Sequence, residues 1–317
     1  DNGDVLRSAL VSGPSSPAPS AETSQRVCAA LSIDVEEYFH CEAFAGHVAP
    51  SDWGRMERRA RPCLEWLGQQ LAATGNRATF FVLADTLDDL GGLLRDLARD
   101  GHEIACHGAT HQHLARLTAA ALRVDLRRSL DRIADRVGVR PRGYRAPTFS
   151  LTPATAWALD VLVEAGFDYD ASVFPIHHDR YGVPDAPTEP FRIVSPSGAM
   201  LVEFPPLTVR LGPLRLPFGG GGYFRLWPYG VFRRVLAGRV ATAEPAMLYF
   251  HPWELDPDQP RLPAGWLATR RHRLNLRRTR PRLARLLREF RFDTAAAVLA
   301  RVTAAGTLPT YRLTAPA

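Results

Sequence analysis

Short apolar runs alternate with helical patterns along this chain, and each run opens into a turn at a chemically loaded polar residue. Strands are expected at 27–35, 78–83, 103–106, 143–147, 167–170 and 246–250. Helical spacing fills 62–73, 86–99, 119–137, 152–165, 228–236, 281–288 and 294–304. Thr118 and Gly138 read as the N-cap and C-cap of the longest helix, and Pro153 as a first helical position. Such alternation implies a mostly parallel sheet with crossover helices. Asp34, His107, Arg145, Asp170 and His251 then fall at strand carboxyl ends. In a closed β/α barrel those ends share the face that carries the active site.

The densest chemistry lies in His107-Gly108-Ala109-Thr110-His111 and Asp34-Val35-Glu36-Glu37. Two histidines four apart on a helical turn would face one side, so both rings could reach one metal ion. Two imidazoles and a carboxylate form the ligand set of a catalytic divalent site with an open position. On an extended segment, Glu36 returns to the face of Asp34, which favours it over Glu37 as the third ligand. These parts suit metal-assisted amide hydrolysis, in which a carboxylate takes a proton from water and a separate acid protonates the leaving nitrogen.

The rest of the chain narrows the alternatives. It contains no lysine, which removes Schiff-base chemistry and any P-loop lysine. The four cysteines form no CxxC pair, so neither a disulfide framework nor a cysteine zinc site is indicated. No apolar run approaches the ~20 residues of a membrane span. Residues 1–26, rich in Ser, Pro, Ala and Gly, read as a flexible arm. A hairpin is expected about Ser197-Gly198. Gly219–222 follows Pro217-Phe218 rather than a strand, so it reads as tight turns beside a groove and not as a phosphate loop. Residues 261–291 hold eleven Arg and one Glu, a local +10 within a net +6, leaving 6 − 10 = −4 elsewhere. This run reads as a solvated, partly amphipathic helical extension (261–317) on the same domain. A patch for an anionic polymer or lipid is the alternative, and no nucleic-acid module accompanies it.

Five motifs in order resemble the polysaccharide deacetylase superfamily (NodB homology, carbohydrate esterase family 4), over roughly residues 27–260. They are Ser32-Ile33-Asp34-Val35-Glu36-Glu37, His107 to His111, Arg145-Ala146-Pro147, Asp168-Tyr169-Asp170-Ala171-Ser172 and Leu248-Tyr249-Phe250-His251. Residues 34–39, 220–225 and 250–257 resemble a branch encoded with bacterial exopolysaccharide loci of the PEP-CTERM/exosortase type. The resemblance implies an α/β fold, a distorted (β/α) barrel with the active site at the strand carboxyl ends. It also implies N-deacetylation of a polysaccharide with one divalent ion, Zn²⁺ or else Co²⁺ or Ni²⁺. Asp34 then resembles the general base, His107 and His111 metal ligands, Arg145 the base's partner and His251 the general acid. Asp170, or alternatively Asp168, would support His251. Two departures stand out: Val35 replaces an adjacent aspartate, and Thr148 stands where the family has tyrosine. With Thr148, Tyr223 and Trp253 are the substrate-binding candidates, the two aromatics reading equally well as core. A cyclic-amide hydrolase and a non-catalytic glycan-binding module are the competing functions. A bacterial cytoplasmic location is expected, with periplasmic or membrane-peripheral action as alternatives.

Overall fold

The computed structural model describes residues 28–178, 181–212 and 214–314. The expected arm at 1–26 lies outside these residues. The elements run β1 (Ala29–Val35), α1 (Ala60–Thr74), β2 (Thr79–Val82), α2 (Leu87–Arg99), β3 (Glu103–Cys106), α3 (Ala119–Val137), β4 (Gly143–Tyr144), α4 (Ala158–Ala165) and β5 (Tyr169–Asp170). Then come β6 (Phe191–Val194), β7 (Met200–Glu203), β8 (Thr208–Leu211), β9 (Leu214–Pro217), α5 (Gly221–Leu226), α6 (Tyr229–Ala241), β10 (Ala246–Phe250), α7 (Trp266–Arg273), α8 (Thr279–Glu289), α9 (Ala295–Ala305) and β11 (Thr310–Arg312).

Nine strands form one sheet in the order β10-β1-β2-β3-β4-β5-β7-β6-β11. All neighbours are parallel except β6 and β7, the expected hairpin. The sheet is strongly curled. A flat sheet would hold β1 and β4 about 14 Å apart, three spacings of ~4.8 Å. Yet Arg145, just beyond β4, donates to Ser32 Oγ and Asp34 Oδ1 of β1, and to Met247 Sδ of β10. The fold is therefore the expected α/β architecture, a distorted barrel of mostly parallel strands.

Inside the curl, Ala30, Phe81, Ala105, Tyr169, Phe204 and Met247 pack on Ala295, Val298 and Leu299 of α9. That helix closes the amino ends of the strands. Its Ala295 N–H donates to Thr79 Oγ1 and its Ala296 N–H to Glu103 Oε2, satisfying two of its otherwise orphaned amides. The opposite mouth is left to the polar strand ends. A larger apolar layer lies outside the sheet, where Leu122, Leu126, Ile133 and Val137 of α3 are buried at helical spacing. Thr118 accepts the Ala121 N–H and Gly138 closes this helix at φ 86°, both as expected.

Two local expectations need correction. The helix expected from Thr152 breaks into a 3₁₀ turn at Pro153–Thr155, stopped where Thr155 Oγ1 turns back to the main chain of Ser150, and only then becomes α4. The glycine run at 219–222 does follow a strand, β9, and leads into α5. Eight of the eleven arginines of 261–291 are exposed, as expected of a solvated run, and the other three are half-buried against the main chain. Arg273 donates to the carbonyls of Pro257 and Gln259, Arg280 to that of Leu255, and Arg282 to those of Phe224, Arg225 and Trp227. These guanidiniums satisfy carbonyls at helix and turn ends, and so tie the extension to the barrel. No helix among the described residues is long and apolar enough to cross a membrane.

Candidate active site

Because β1, β3, β4 and β10 run parallel, their exits deliver Asp34, Glu36, His107, His111, Arg145 and His251 to one mouth of the barrel. His107 and His111 do not sit on a helical turn. They leave β3 on a loop with Gly108 at φ 82° and His111 itself at φ 50°. Asp125 of α3 shapes this loop by accepting the Ala109 N–H at 2.8 Å and the Thr110 hydroxyl at 2.6 Å. The two rings converge all the same: His107 Nε2 and His111 Nε2 each lie 2.9 Å from Glu36 Oε1.

Glu37 goes elsewhere. Its carboxylate accepts the N–H groups of Arg59 and Ala60 and caps the start of α1. Such a cap contributes on the order of 1 kcal/mol. Extended backbone therefore separates the two glutamates, one into the site and one onto a helix.

The donor set suits a divalent cation. His107 Nδ1 faces the main-chain carbonyl of Arg145 at 2.8 Å. A carbonyl only accepts, so Nδ1 carries a proton, which leaves Nε2 as the ring nitrogen available to a metal ion beside Glu36. Two imidazole nitrogens and a carboxylate oxygen, all nearly buried, are thereby brought against one another. Each ring is bonded to Glu36 here, and a cation among the three donor atoms would take the place of the bridging protons. Burial alone would raise the Glu36 pKa, but the charges and bonds of His111, His107 and His251 outweigh it and hold the carboxyl well below the ordinary range. Asp34, Glu36 and His251 form a second cluster that could also hold an ion.

Asp34 is split between two duties. Arg145, fully buried, donates from Nη1 to Oδ1 at 2.5 Å, while its Nε donates to the Ala171 carbonyl. The guanidinium lies 4.1 Å over the Phe81 ring, which fixes its plane. The other carboxylate oxygen, Oδ2, faces His251 Nε2 at 3.8 Å. Burial works against charge on His251. The bond to Glu254 and the negative charges of Glu36, Glu254 and Asp34 prevail and raise its pKa to about 9.

Asp170 does not reach His251. Its carboxylate accepts from Ser172 Oγ at 2.5 Å, and its register partner on β7 is the buried Glu203. Burial raises both carboxyls, Glu203 the more because the charge of Asp170 adds to it. The alternative, Asp168, is exposed and pairs with Arg142. The group that does hold His251 is Glu254, with Oε2 3.1 Å from Nδ1. Glu254 is nearly fully buried and pairs in turn with Arg225. A local signal for it was present: three residues after the histidine and two after a proline, a 3₁₀ turn faces it back toward the ring. Arg225 lies 29 positions upstream of Glu254, and nothing in the local spacing connects the two.

Asp34, Glu36, His111 and His251 border a solvent-open cleft of about 210 Å³, also lined by Thr148, Phe149, Tyr181, Tyr249 and Trp253. Thr148 lies in left-handed backbone at φ 59°. Trp253, largely buried, stacks on His251 at 5.0 Å and on His272 at 4.2 Å while its edge borders the cleft. Tyr223 is half-buried against the cluster of Phe149, Phe174, Ile176 and Tyr249. The glycine run has a steric reason. A Cβ on Gly219 would meet the Met247 carbonyl at 2.6 Å, and one on Gly221 would meet Glu254 Oε2 at 2.0 Å.

Comparison with known proteins follows the same division of the chain. The family model described as polysaccharide deacetylase matches residues 66–169, which carry His107, His111 and Arg145. A second model, described as domain of unknown function DUF3473, matches 171–300, which carry Arg225, His251 and Glu254. A peptidoglycan deacetylase of Helicobacter pylori is 29% identical over 102 residues, 32% of this chain and 33% of that protein. The uncharacterized protein YlxY of Bacillus subtilis is 28% identical over 88 residues, 28% of this chain and 27% of that protein. The chain thus aligns with about a third or less of the length of these curated relatives. A Mycobacterium smegmatis protein assigned as a polysaccharide deacetylase shares the fold at 20% identity and a TM-score of 0.62, over 96% of this chain and 99% of that one.

Proposed function

We propose that this chain is a member of the polysaccharide deacetylase superfamily, whose family model matches residues 66–169, and that it hydrolyses the N-acetyl groups of an N-acetylated polysaccharide with one divalent ion. The observation that carries the reading is the division of Asp34. Arg145 occupies one carboxylate oxygen, and the other faces His251 Nε2 across the cleft at 3.8 Å, beside Glu36, His107 and His111.

Glu36, His107 and His111 would hold the ion. Zn²⁺ suits two imidazoles and one carboxylate, and Co²⁺ or Ni²⁺ accept the same donors. When bound, the ion supplies Lewis acidity, which makes water more acidic and stabilises negative charge on oxygen. The side chains then divide the protons. Asp34 Oδ2 accepts the proton of the attacking water, while Arg145 keeps the carboxylate from rotating away. His251 Nε2 delivers a proton to the departing nitrogen, which leaves an amide poorly without one. Arg145 is itself fixed by Ser32, Ala171 and the Phe81 ring, so this division exists before substrate arrives. The resemblance of 34–39, 220–225 and 250–257 to an exopolysaccharide-associated branch supports an exopolysaccharide as the substrate.

The test is acetate release. The chain loaded with Zn²⁺, Co²⁺ or Ni²⁺ is incubated with an N-acetylated oligosaccharide and, separately, with a cyclic amide such as allantoin. Acetate appearing one-to-one with free amine supports the proposal. Ring opening of the cyclic amide without acetate release would assign the site to the competing hydrolase class. Glycan binding without either reaction would make it a binding module.

A further inference from the structure

Among the described residues, Glu254 is the group bonded to His251 Nδ1, and it belongs to neither the ion cluster nor the base. We propose that Glu254 is the positioning residue of the acid histidine, and that Arg225 and the main chain at 272–274 hold Glu254 for that task. The proposal rests on the reading of His251 as the acid.

The geometry reads outward from the ring. Glu254 Oε2 lies 3.1 Å from His251 Nδ1 and accepts the His251 main-chain N–H at 3.0 Å. The carboxylate is acceptor-only, so Nδ1 keeps its proton. The proton that can be given away therefore sits on Nε2, the nitrogen that faces Asp34 Oδ2 over the cleft. After transfer, the neutral ring still carries Nδ1–H, so Glu254 holds the same orientation before and after the step. The other oxygen, Oε1, accepts from Arg225 Nε at 3.1 Å and lies 3.0 Å from Nη2, so the guanidinium pairs with that oxygen from one side. Both side chains are almost fully buried, where such a pair is weakly screened.

Arg225 is anchored in its turn. Its Nη1 donates to the carbonyls of His272 at 2.9 Å and Leu274 at 2.6 Å, and its own carbonyl accepts from Asn275 Nδ2 at 2.9 Å. The segment that ends α7 therefore sets the acid's orientation from the arginine-rich extension. Gly221 completes the arrangement, because any side chain there would enter the space of Glu254 Oε2. The two carboxylates expected from β5 are committed elsewhere, Asp170 to Ser172 and Asp168 to Arg142. The supporting anion thus sits on the same turn as the histidine it orients.

A purely structural brace would have different consequences, and substrate choice separates them. Glu254→Gln keeps the shape but can offer its NH₂ to the ring and release the tautomer. Gly221→Ala keeps the carboxylate's charge but displaces it. Each variant should lower turnover of an N-acetylated oligosaccharide by about 10–100-fold, the scale on which loss of a group orienting a functional imidazole is felt. Turnover of an activated aryl acetate, whose leaving group needs no proton, should fall less than threefold. Ion affinity by calorimetry should be unchanged, and ¹⁵N chemical shifts should show His251 losing its fixed Nδ1–H form. Equal losses on both substrates, accompanied by a lowered melting temperature, would make Glu254 a brace and overturn the proposal. Equal losses for His251→Ala would overturn the acid reading and this proposal with it. A substrate split for His251→Ala with none for Glu254→Gln or Gly221→Ala overturns this proposal alone.

Discussion

Replacing Asp34 by Asn lowers turnover of an N-acetylated oligosaccharide by ~10²–10⁴-fold, the usual scale for loss of a general base, while the chain keeps its divalent ion. The amide is nearly the shape of the carboxylate and still accepts from Arg145, so the fold should survive. It cannot take a proton from water at Oδ2. The charge of Arg145 is left without its anion in a fully buried place. Removing one partner of a buried pair costs several kcal/mol, and some loss of melting temperature is expected beside the loss of rate. Steady-state kinetics with an ion-content measurement on the same sample check this. Loss of the ion together with activity would instead make Asp34 a ligand.

Replacing His251 by Ala lowers amide turnover on a similar ~10²–10⁴-fold scale and leaves activated aryl acetates far less affected. The pH dependence follows from the same group. An acid works only while protonated. With its pKa raised to about 9, His251 is protonated at neutral pH, and amide turnover falls as pH rises through that value. Part of the rise comes from the charge of Glu36. A cation held there offsets it, so the alkaline limb of the loaded enzyme should lie below about 9. The limb should vanish in His251→Ala. An unchanged limb, with equal losses on amide and ester, would remove His251 from the acid role.

The strand ends were legible because a parallel sheet puts every carboxyl end on one face. Polar residues closing apolar runs at Asp34, His107, Arg145 and His251 were thus visible as a set. Glu36 over Glu37 was legible from the two-residue period of extended backbone, and Glu37 proved to be a helix cap. The four-residue spacing of His107 and His111 marked two rings that do meet at Glu36, but with the wrong backbone. Their convergence comes from a loop shaped by Asp125 of α3, a contact that local periodicity does not carry. Asp170 misled for a similar reason. Its neighbour is set by the register of β5 on β7, which lies beyond 171–190, where the alternation stops, and beyond the intervening strand β6. Glu254 was within reach, since a histidine, a proline and a glutamate in a 3₁₀ turn place the acid under the ring. Arg225 and its anchors at 272–274 depend on long-range packing and left no local trace.

The division of labour among these groups is tested most directly by anomalous diffraction from crystals soaked in Zn²⁺ or Co²⁺, recorded at the absorption edge of the ion. The account predicts one peak coordinated by Glu36 Oε1, His107 Nε2 and His111 Nε2, with Asp34 still gripped by Arg145 and outside the ligand sphere. A peak held instead by Asp34, Glu36 and His251, the second cluster in this cleft, would turn the proposed base and acid into ligands and contradict the mechanism.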